Sequence, residues 1–535
     1  MNEYPNAYIV HNILGAILAS ENKLDESLKH YKKSIEIKND YAEAHNNLGI
    51  VFQKLYNLND AILSHKKSIV YKPNFAEAHN NLGSAFHKLG KFKDAINEFK
   101  QSIKIKNDYF EAYSNLGNTL SELGRYEEAI DHYQRSISIN SKYVEAYNNL
   151  GSALTKLRKF EEALKFHKKA VEINPKSAEA HNYLGNTFSE MEKFKDAFAS
   201  YEKAQQINPE YSEAKLNEGI SRLALGQFEI GWKKYEFRFD KNINIRNEIG
   251  VVKSMRYEGN KLWNGKYLNG TLLVWSEQGL GDHIFFGSMV SDLKKYAKNI
   301  IFEVDKRLVN LFERFFKKIN FHNIKVKSTE KKLIHGYEKH IPAGSLGQYL
   351  RKSADSFERS PKKYLISSIS KEKKFKEKFS KSKNLKIGLS WKTLNKKQGN
   401  RNIDLERMTP ILSTSNCDFI NLQFGNFDKE IQNFRSKHGL SLKIIEKLDN
   451  YNDIETLAAL IGCLDLIITI QNSTAHLSAA LGKETWIMLT KNSRWHWTIN
   501  EKKSLWYPKA KLFQQDQLDD WNKVINDVSM SLKKR

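Results

Sequence analysis

The chain has 535 residues, 40% of them hydrophobic and 28% charged, with a formal net charge of +24. That length exceeds one ordinary core and implies about two to four domains, and the composition excludes a disordered or membrane-embedded chain. With only Cys417 and Cys463 present, a disulfide framework and a cysteine-built metal cluster are excluded as well.

Residues 1–16 lack a basic stretch followed by an apolar core and a small-residue cleavage site, so no signal peptide is expected. The longest apolar run, 457–470, is interrupted by Asp465 and is too short to span a bilayer. A cytoplasmic protein is therefore expected, with peripheral contact at the inner membrane face left open by the positive charge. Lysine is abundant on plain helix faces throughout, which points to a general bias. No aromatic and basic interleaving of a nucleic-acid module is found, so nucleic acid is not an expected partner.

From the N-terminus, Gly15, Gly49, Gly83, Gly117, Gly151, Gly185 and Gly219 recur every 34 residues. Leucine precedes the first six. Twelve residues after each glycine stands a small residue: Ser27, Ala61, Ala95, Ala129, Ala163, Ala197 and Gly231. Small residues at two fixed places let paired helices pack closely, and Pro73, Pro175 and Pro209 fall where a helix must stop. The pattern resembles the tetratricopeptide repeat family over about seven units, residues 1–240. That resemblance implies an α-solenoid with a concave groove, because no unit buries its apolar face alone.

Two residues before the glycines stand Asn47, Asn81, Asn115, Asn149 and Asn217, interrupted by Ile13 and Tyr183. A ladder of amides can both donate to and accept from an extended peptide. It resembles the asparagine ladder of nucleocytoplasmic O-GlcNAc transferases, which implies a polypeptide in the groove; repeat-consensus chemistry without a ligand is the alternative. The seventh unit carries Trp232, Tyr235, Phe237 and Phe239, which are expected to form core against the next domain. The first unit lacks a polar capping helix, which leaves the oligomeric state open.

After a connector, 241–270, strand and helix patterns alternate, as in a mainly parallel α/β sheet. Strands are expected at 271–276, 299–304 and 324–327 in a first lobe, 271–370. A lysine-rich segment, 371–384, is expected to cross to a second lobe, 385–535. There, strands are expected at 386–391, 418–423, 442–445, 464–470 and 485–489, with a last helix over 519–532.

Directly after the first strand comes Ser276-Glu277-Gln278-Gly279-Leu280-Gly281-Asp282-His283. A strand, a tight turn made by Gly279 and Gly281, and a helix place Asp282 at the carboxyl edge of a sheet, where open α/β folds bind ligands. Asp282 could act there as a general base or simply cap the helix. A nicotinamide site fits poorly, since Ile284 stands where the third glycine should be and only Glu303 or Asp305 could hold a ribose. In the second lobe, Gln471-Asn472-Ser473-Thr474-Ala475-His476 follows a strand. Ser473 is expected as N-cap, with free N–H groups behind it for a diphosphate and His476 one turn inside.

The segments Glu277 to Asp282, Gly388-Leu389-Ser390-Trp391-Lys392, Leu422-Gln423-Phe424-Gly425 and Thr474-Ala475-His476-Leu477 with Ala480-Leu481-Gly482-Lys483 resemble the heptosyltransferase-like glycosyltransferases of family 9. Arg494-Trp495-His496-Trp497, Trp506-Tyr507-Pro508 and Leu512-Phe513 resemble the bacterial branch in which this domain follows tetratricopeptide repeats. The resemblance implies a GT-B pair of Rossmann-type lobes with Asp282 as catalytic base. It also implies a nucleotide-sugar donor held by Ser390, Lys392, Lys396, Lys397, Arg401, Gln471, Asn472, Ser473, Thr474 and His476. The acceptor would be a protein or a cell-envelope glycan. The chain has no Asp-X-Asp pair, so no metal and no cofactor are expected. Gln471 and Asn472 stand where family members commonly carry aspartate and threonine. The alternative is a non-catalytic repeat scaffold with a retired enzyme domain.

Overall fold

The computed structural model describes residues 7–240, 255–329, 332–393, 401–425, 427–446, 448–493, 495–497 and 503–535. The chain divides into two compact units, Met1–Glu190 and Met191–Arg535. Among the described residues, fourteen helices run from Ala7–Ser20 to Phe228–Tyr235, followed by ten strands with helices between them.

In the first unit five glycines of the 34-residue period serve close packing within their helix pairs. A Cβ on Gly15, Gly83 or Gly117 would lie 2.6–2.8 Å from the ring of Tyr31, Phe99 or Tyr133, and on Gly49 or Gly151 it would lie 2.5–2.6 Å from His65 or His167. The partner ring always follows sixteen residues later. The small residues are legible in the sequence, whereas these rings share their period but change in type from repeat to repeat.

A second ladder ties three successive pairs. Ser68, Ser102 and Ser136 donate through Oγ to the carbonyls of Ala42, Ala76 and Phe110, each at 2.8 Å. The turn between paired helices always needs a left-handed residue. Gly90 and Gly124 supply it without strain, whereas Asn22, Tyr56 and Arg158 adopt φ near +60°.

In the second unit, β1 (Leu268–Trp275), β2 (Ala297–Val304), β3 (Ile324–Ser328) and β4 (Lys339–Pro342) form a parallel sheet in the order β3-β2-β1-β4. β5 (Leu385–Ser390), β6 (Cys417–Asn421), β7 (Leu442–Lys443), β8 (Leu466–Ile470), β9 (Thr485–Leu489) and β10 (Ala510–Gln514) form another, in the order β10-β9-β8-β5-β6-β7. The expected parallel α/β character holds. β4 and β10 were missed: β4 has four residues and ends on proline, and β10 lies beside the tryptophan-rich turn. The segment expected to cross between lobes starts as the helix Ile369–Phe379, whose Phe375 and Phe379 pack on the core.

The helices from Phe194–Ile207 onward belong with the sheets. Trp232 is fully buried, donates from Nε1 to the Arg351 carbonyl at 2.8 Å, and packs edge-on against Trp495 and Trp506. The aromatic plug expected of the seventh unit is thus core of this second unit. No helix of the described residues is long and apolar enough to cross a membrane.

Candidate functional site

Each sheet has a point where strand order reverses, between β1 and β4 in the first and between β5 and β8 in the second, and open sheets place ligands at such points. The Asp282 segment leaves β1, and the Gln471 segment leaves β8.

At the first edge, the helix Leu280–Gly287 is capped by Gly279, and Asp282 Oδ2 accepts the Gly279 N–H at 3.1 Å. The capping role is therefore real. It leaves Oδ1, which lies 3.3 Å from His496 Nε2 in the 3-10 turn Trp495–Trp497 of the second lobe. The turn before the helix is not made by glycine torsions as expected: the left-handed residue is Gln278, at φ +69°, and Gly279 is extended at φ −93°. Gly281 serves the close approach of the lobes, since a Cβ there would sit 3.1 Å from His476 Cδ2. Glu303 is buried and holds Arg256 and Tyr257, while Asp305 pairs with Arg307, so neither acidic residue is spare for a ribose.

At the second edge, the expected cap is corrected by one residue. Ser473 is the first residue of the helix Ser473–Ala480, and the cap is Asn472, whose Oδ1 accepts from the N–H of Thr474 at 3.0 Å and of Ala475 at 3.3 Å. Those two donors, expected to be free for a diphosphate, are occupied because an amide preceding a helix folds back onto its first turn more readily than a serine already inside it. Asn472 Nδ2 donates to Ser390 Oγ at 2.8 Å, and Ser390 Oγ donates to Gln423 Oε1 at 3.2 Å, so the ends of β8, β5 and β6 are tied by one chain of hydrogen bonds. Lys392 Nζ sits 2.9–3.0 Å from both oxygens of Glu430. Lys396 and Lys397 lie outside the described residues; Arg401 is half-buried just beyond them.

Several buried polar atoms at these edges lack a hydrogen-bond partner among the described residues: Ser276 Oγ, Gln471 Oε1, Thr474 Oγ1 and Ser493 Oγ. Gln471 is held by its other end, with Nε2 donating to Thr490 Oγ1 at 2.8 Å. Unspent capacity in buried groups is uncommon in folded proteins and calls for an explanation wherever it occurs.

His476 is fixed by Tyr507, whose hydroxyl lies 2.8 Å from Nδ1 and accepts from Tyr364 at 3.3 Å. Burial pushes the Tyr507 phenol well above its ordinary value, so it stays protonated. With Tyr364 donating to it, Tyr507 is placed to donate to His476 Nδ1, an arrangement in which Nε2 would carry the imidazole proton. The rings of His476 and His496 stack on Trp497 and Trp495, at 4.9 and 4.2 Å between centroids. The sequence carried His496 and Tyr507 inside motifs but gave them no role, because their meeting with Asp282 and His476 depends on the fold.

The asparagine ladder is spent in part on the solenoid itself. Asn47, Asn81 and Asn115 each donate from Nδ2 to Asn12, Asn46 and Asn80 of the preceding repeat, at 3.0–3.1 Å. At the equivalent register, 35 residues before Asn149, the sequence has Ser114 in place of an asparagine, and Asn217 lies in the second unit. These bonds give the amides a structural role whether or not a peptide also lies along them.

A tetratricopeptide repeat family matches residues 108–176 and 142–210, and a further TPR repeat family matches 15–55 and 83–124. The N-terminal region consists of tetratricopeptide repeats. The chain is 28% identical over 328 residues to Protein FlbA of Caulobacter vibrioides, an alignment covering 58% of this chain and 53% of that protein. It therefore spans about half the length of that curated relative. Similar solved structures include MamA (31% identity, 30% of this chain and 95% of that one, TM-score 0.28). They also include YrrB, a TPR protein described as having an unusual peptide-binding site (23% identity, 34% and 95%, TM-score 0.28). A third is pilF of Pseudomonas aeruginosa (17% identity, 39% and 96%, TM-score 0.35).

Proposed function

We propose that the second unit is a GT-B-type glycosyltransferase and that the repeats recruit its acceptor, a protein or a cell-envelope glycan. The observation that carries this reading is the 3.3 Å approach of Asp282 Oδ1, at the carboxyl edge of one parallel sheet, to His496 Nε2 from the lobe of the other. A carboxylate with one oxygen fixed by its own turn and the other beside an imidazole is suited to taking a proton from an acceptor hydroxyl. As the acceptor oxygen bonds to the sugar carbon, the bond from that carbon to the diphosphate breaks, and direct displacement inverts the centre. His476, with Nε2 protonated, would donate toward the leaving phosphate, and Arg401 would add positive charge. Gln471 Oε1 and Thr474 Oγ1 would find their missing partners on the donor.

Replacing Asp282 by Asn should abolish transfer while leaving the circular dichroism spectrum and partner binding unchanged; retained turnover would refute the base assignment. A thermal-shift screen with nucleoside diphosphates and nucleotide sugars, with and without chelator, tests the donor site independently. At about a hundred times its dissociation constant a ligand adds roughly 2.7 kcal/mol, which is readily seen.

A second reading, a protein-binding scaffold, is favoured by two observations: Lys392 is already neutralised by Glu430, and the N–H groups of Thr474 and Ala475 are already capped. No shift with any nucleotide would select it.

A further inference from the structure

The first lobe holds a second polar cavity. A pocket of about 380 Å³ is lined by Ser291, Asp292, Lys294, Lys295, Tyr296, Tyr349, Leu350, Arg351 and Arg359. It lies where the turn Val290–Lys295 feeds β2, and Tyr296 accepts the Leu268 N–H there, at the amino edge of the sheet. Asp282 follows the opposite, carboxyl edge, so this pocket is separate from the catalytic cleft proposed above.

Four of its side chains are cations and one is an acid, and the acid is already engaged: Arg351 Nη1 donates to Asp292 Oδ2 at 2.7 Å. Arg351 itself is only 1% exposed, yet its Nε and Nη2 have no hydrogen-bond partner among the described residues. Nε and Nη2 are the two parallel donors on one edge of a guanidinium, the edge that takes two oxygens of a phosphate or carboxylate side by side. A buried guanidinium with that edge unspent loses hydration without recompense. Lys294, Lys295 and Arg359 add charge of the same sign at the pocket wall. The volume suits a small phosphorylated molecule.

We propose that this pocket binds a phosphate ester, with Arg351 as bidentate anchor and Lys294, Lys295 and Arg359 completing the charge. The shared chemistry is a phosphoryl group, carried either by a sugar phosphate or by a lipid headgroup.

The test is calorimetric titration of the full chain with inorganic phosphate and with glucose 6-phosphate, and sedimentation with phosphatidylglycerol or phosphatidylcholine vesicles. Binding of the soluble phosphates is expected, weakened at least tenfold in Lys295→Gln/Arg359→Gln and retained in Asp282→Asn. Preferential sedimentation with phosphatidylglycerol, lost in the same double variant, would assign the headgroup source. Arg351→Gln should remove binding altogether, and because it risks the fold, the surface double variant carries the decision. Absence of binding by every probe, or binding that survives the double variant unchanged, would overturn the proposal.

Discussion

Arg238 and Glu277 meet fork to fork inside the second unit, Nη2 to Oε1 at 2.8 Å and Nε to Oε2 at 3.0 Å, with both side chains fully buried. Glu277 Oε1 also accepts the Gly344 N–H, and the guanidinium reaches Ser345 Oγ. The acid of the motif after β1 is therefore the fastener between the end of the repeats and the first sheet, one step removed from Asp282. Glu277→Gln removes one member of a buried pair and strands the other, a change that costs about 3–5 kcal/mol. All nine tryptophans lie beyond residue 190, so their fluorescence reports this unit selectively. The denaturation midpoint read by tryptophan should fall sharply.

The repeats contain their own acid sensitivity. Burial pushes the imidazoles of His65 and His167 down to about 3, so both are neutral in the folded chain. His65 is held as acceptor and donor between Gln53 and Asn46. In the unfolded chain the same rings titrate near about 6.5. Between those values the unfolded chain binds more protons, so stability is full above about pH 6.5 and falls as pH drops toward about 3, by up to ~1.4 kcal/mol per pH unit for each ring. His11, His45 and His132 are shifted the same way, while His79, raised by its hydrogen bond to Glu98, opposes them. Phenylalanine occupies the equivalent place at Phe99. The variant His65→Phe/His167→Phe should flatten the pH dependence of hydrogen-exchange protection over residues 42–71 and 144–173.

The period of the repeats was legible because glycine, leucine and alanine recur at fixed places, and the parallel sheets because apolar runs alternate with helical patterns. What packs against those glycines was not, since Tyr31, His65, Phe99, Tyr133 and His167 look unrelated until the helix pair brings one ring over each glycine. Asp282 could be singled out from a strand and a turn. Its partner could not: His496 lies more than two hundred residues away in sequence, and only the approach of the two lobes pairs them. The cap at Asn472 was missed by one position because serine and asparagine are both good caps and helix starts are poorly fixed by sequence.

Tyr56 occupies a left-handed position at φ +61° with 77% of its surface exposed, whereas the equivalent turns one and two repeats later carry Gly90 and Gly124. A left-handed non-glycine residue costs about 1–2 kcal/mol, and glycine's extra freedom when unfolded returns roughly half of that. Tyr56→Gly should therefore stabilise the first unit by about 0.5–1 kcal/mol. A lowered unfolding midpoint by far-ultraviolet circular dichroism would refute this account of the turn.

Asn472 separates the two readings of the second lobe. Its Oδ1 covers the N–H groups of Thr474 and Ala475, and its Nδ2 holds Ser390. Asn472→Gly costs the helix only a few tenths of a kcal/mol as a cap, and losing the bond to Ser390 adds about 1 kcal/mol. The same change uncovers two N–H donors at a helix N-terminus, the arrangement that attracts phosphate. If the diphosphate of a donor lies against this helix, the variant should show a larger nucleoside-diphosphate-induced rise in melting temperature than the parent, despite its lower starting stability. If phosphate never reaches this edge, uncovering the donors changes nothing, and the rise in the variant equals that of the parent. Asn472→Asp keeps the cap but places a negative charge beside the same donors, so a phosphate bound there should be repelled and the rise should shrink.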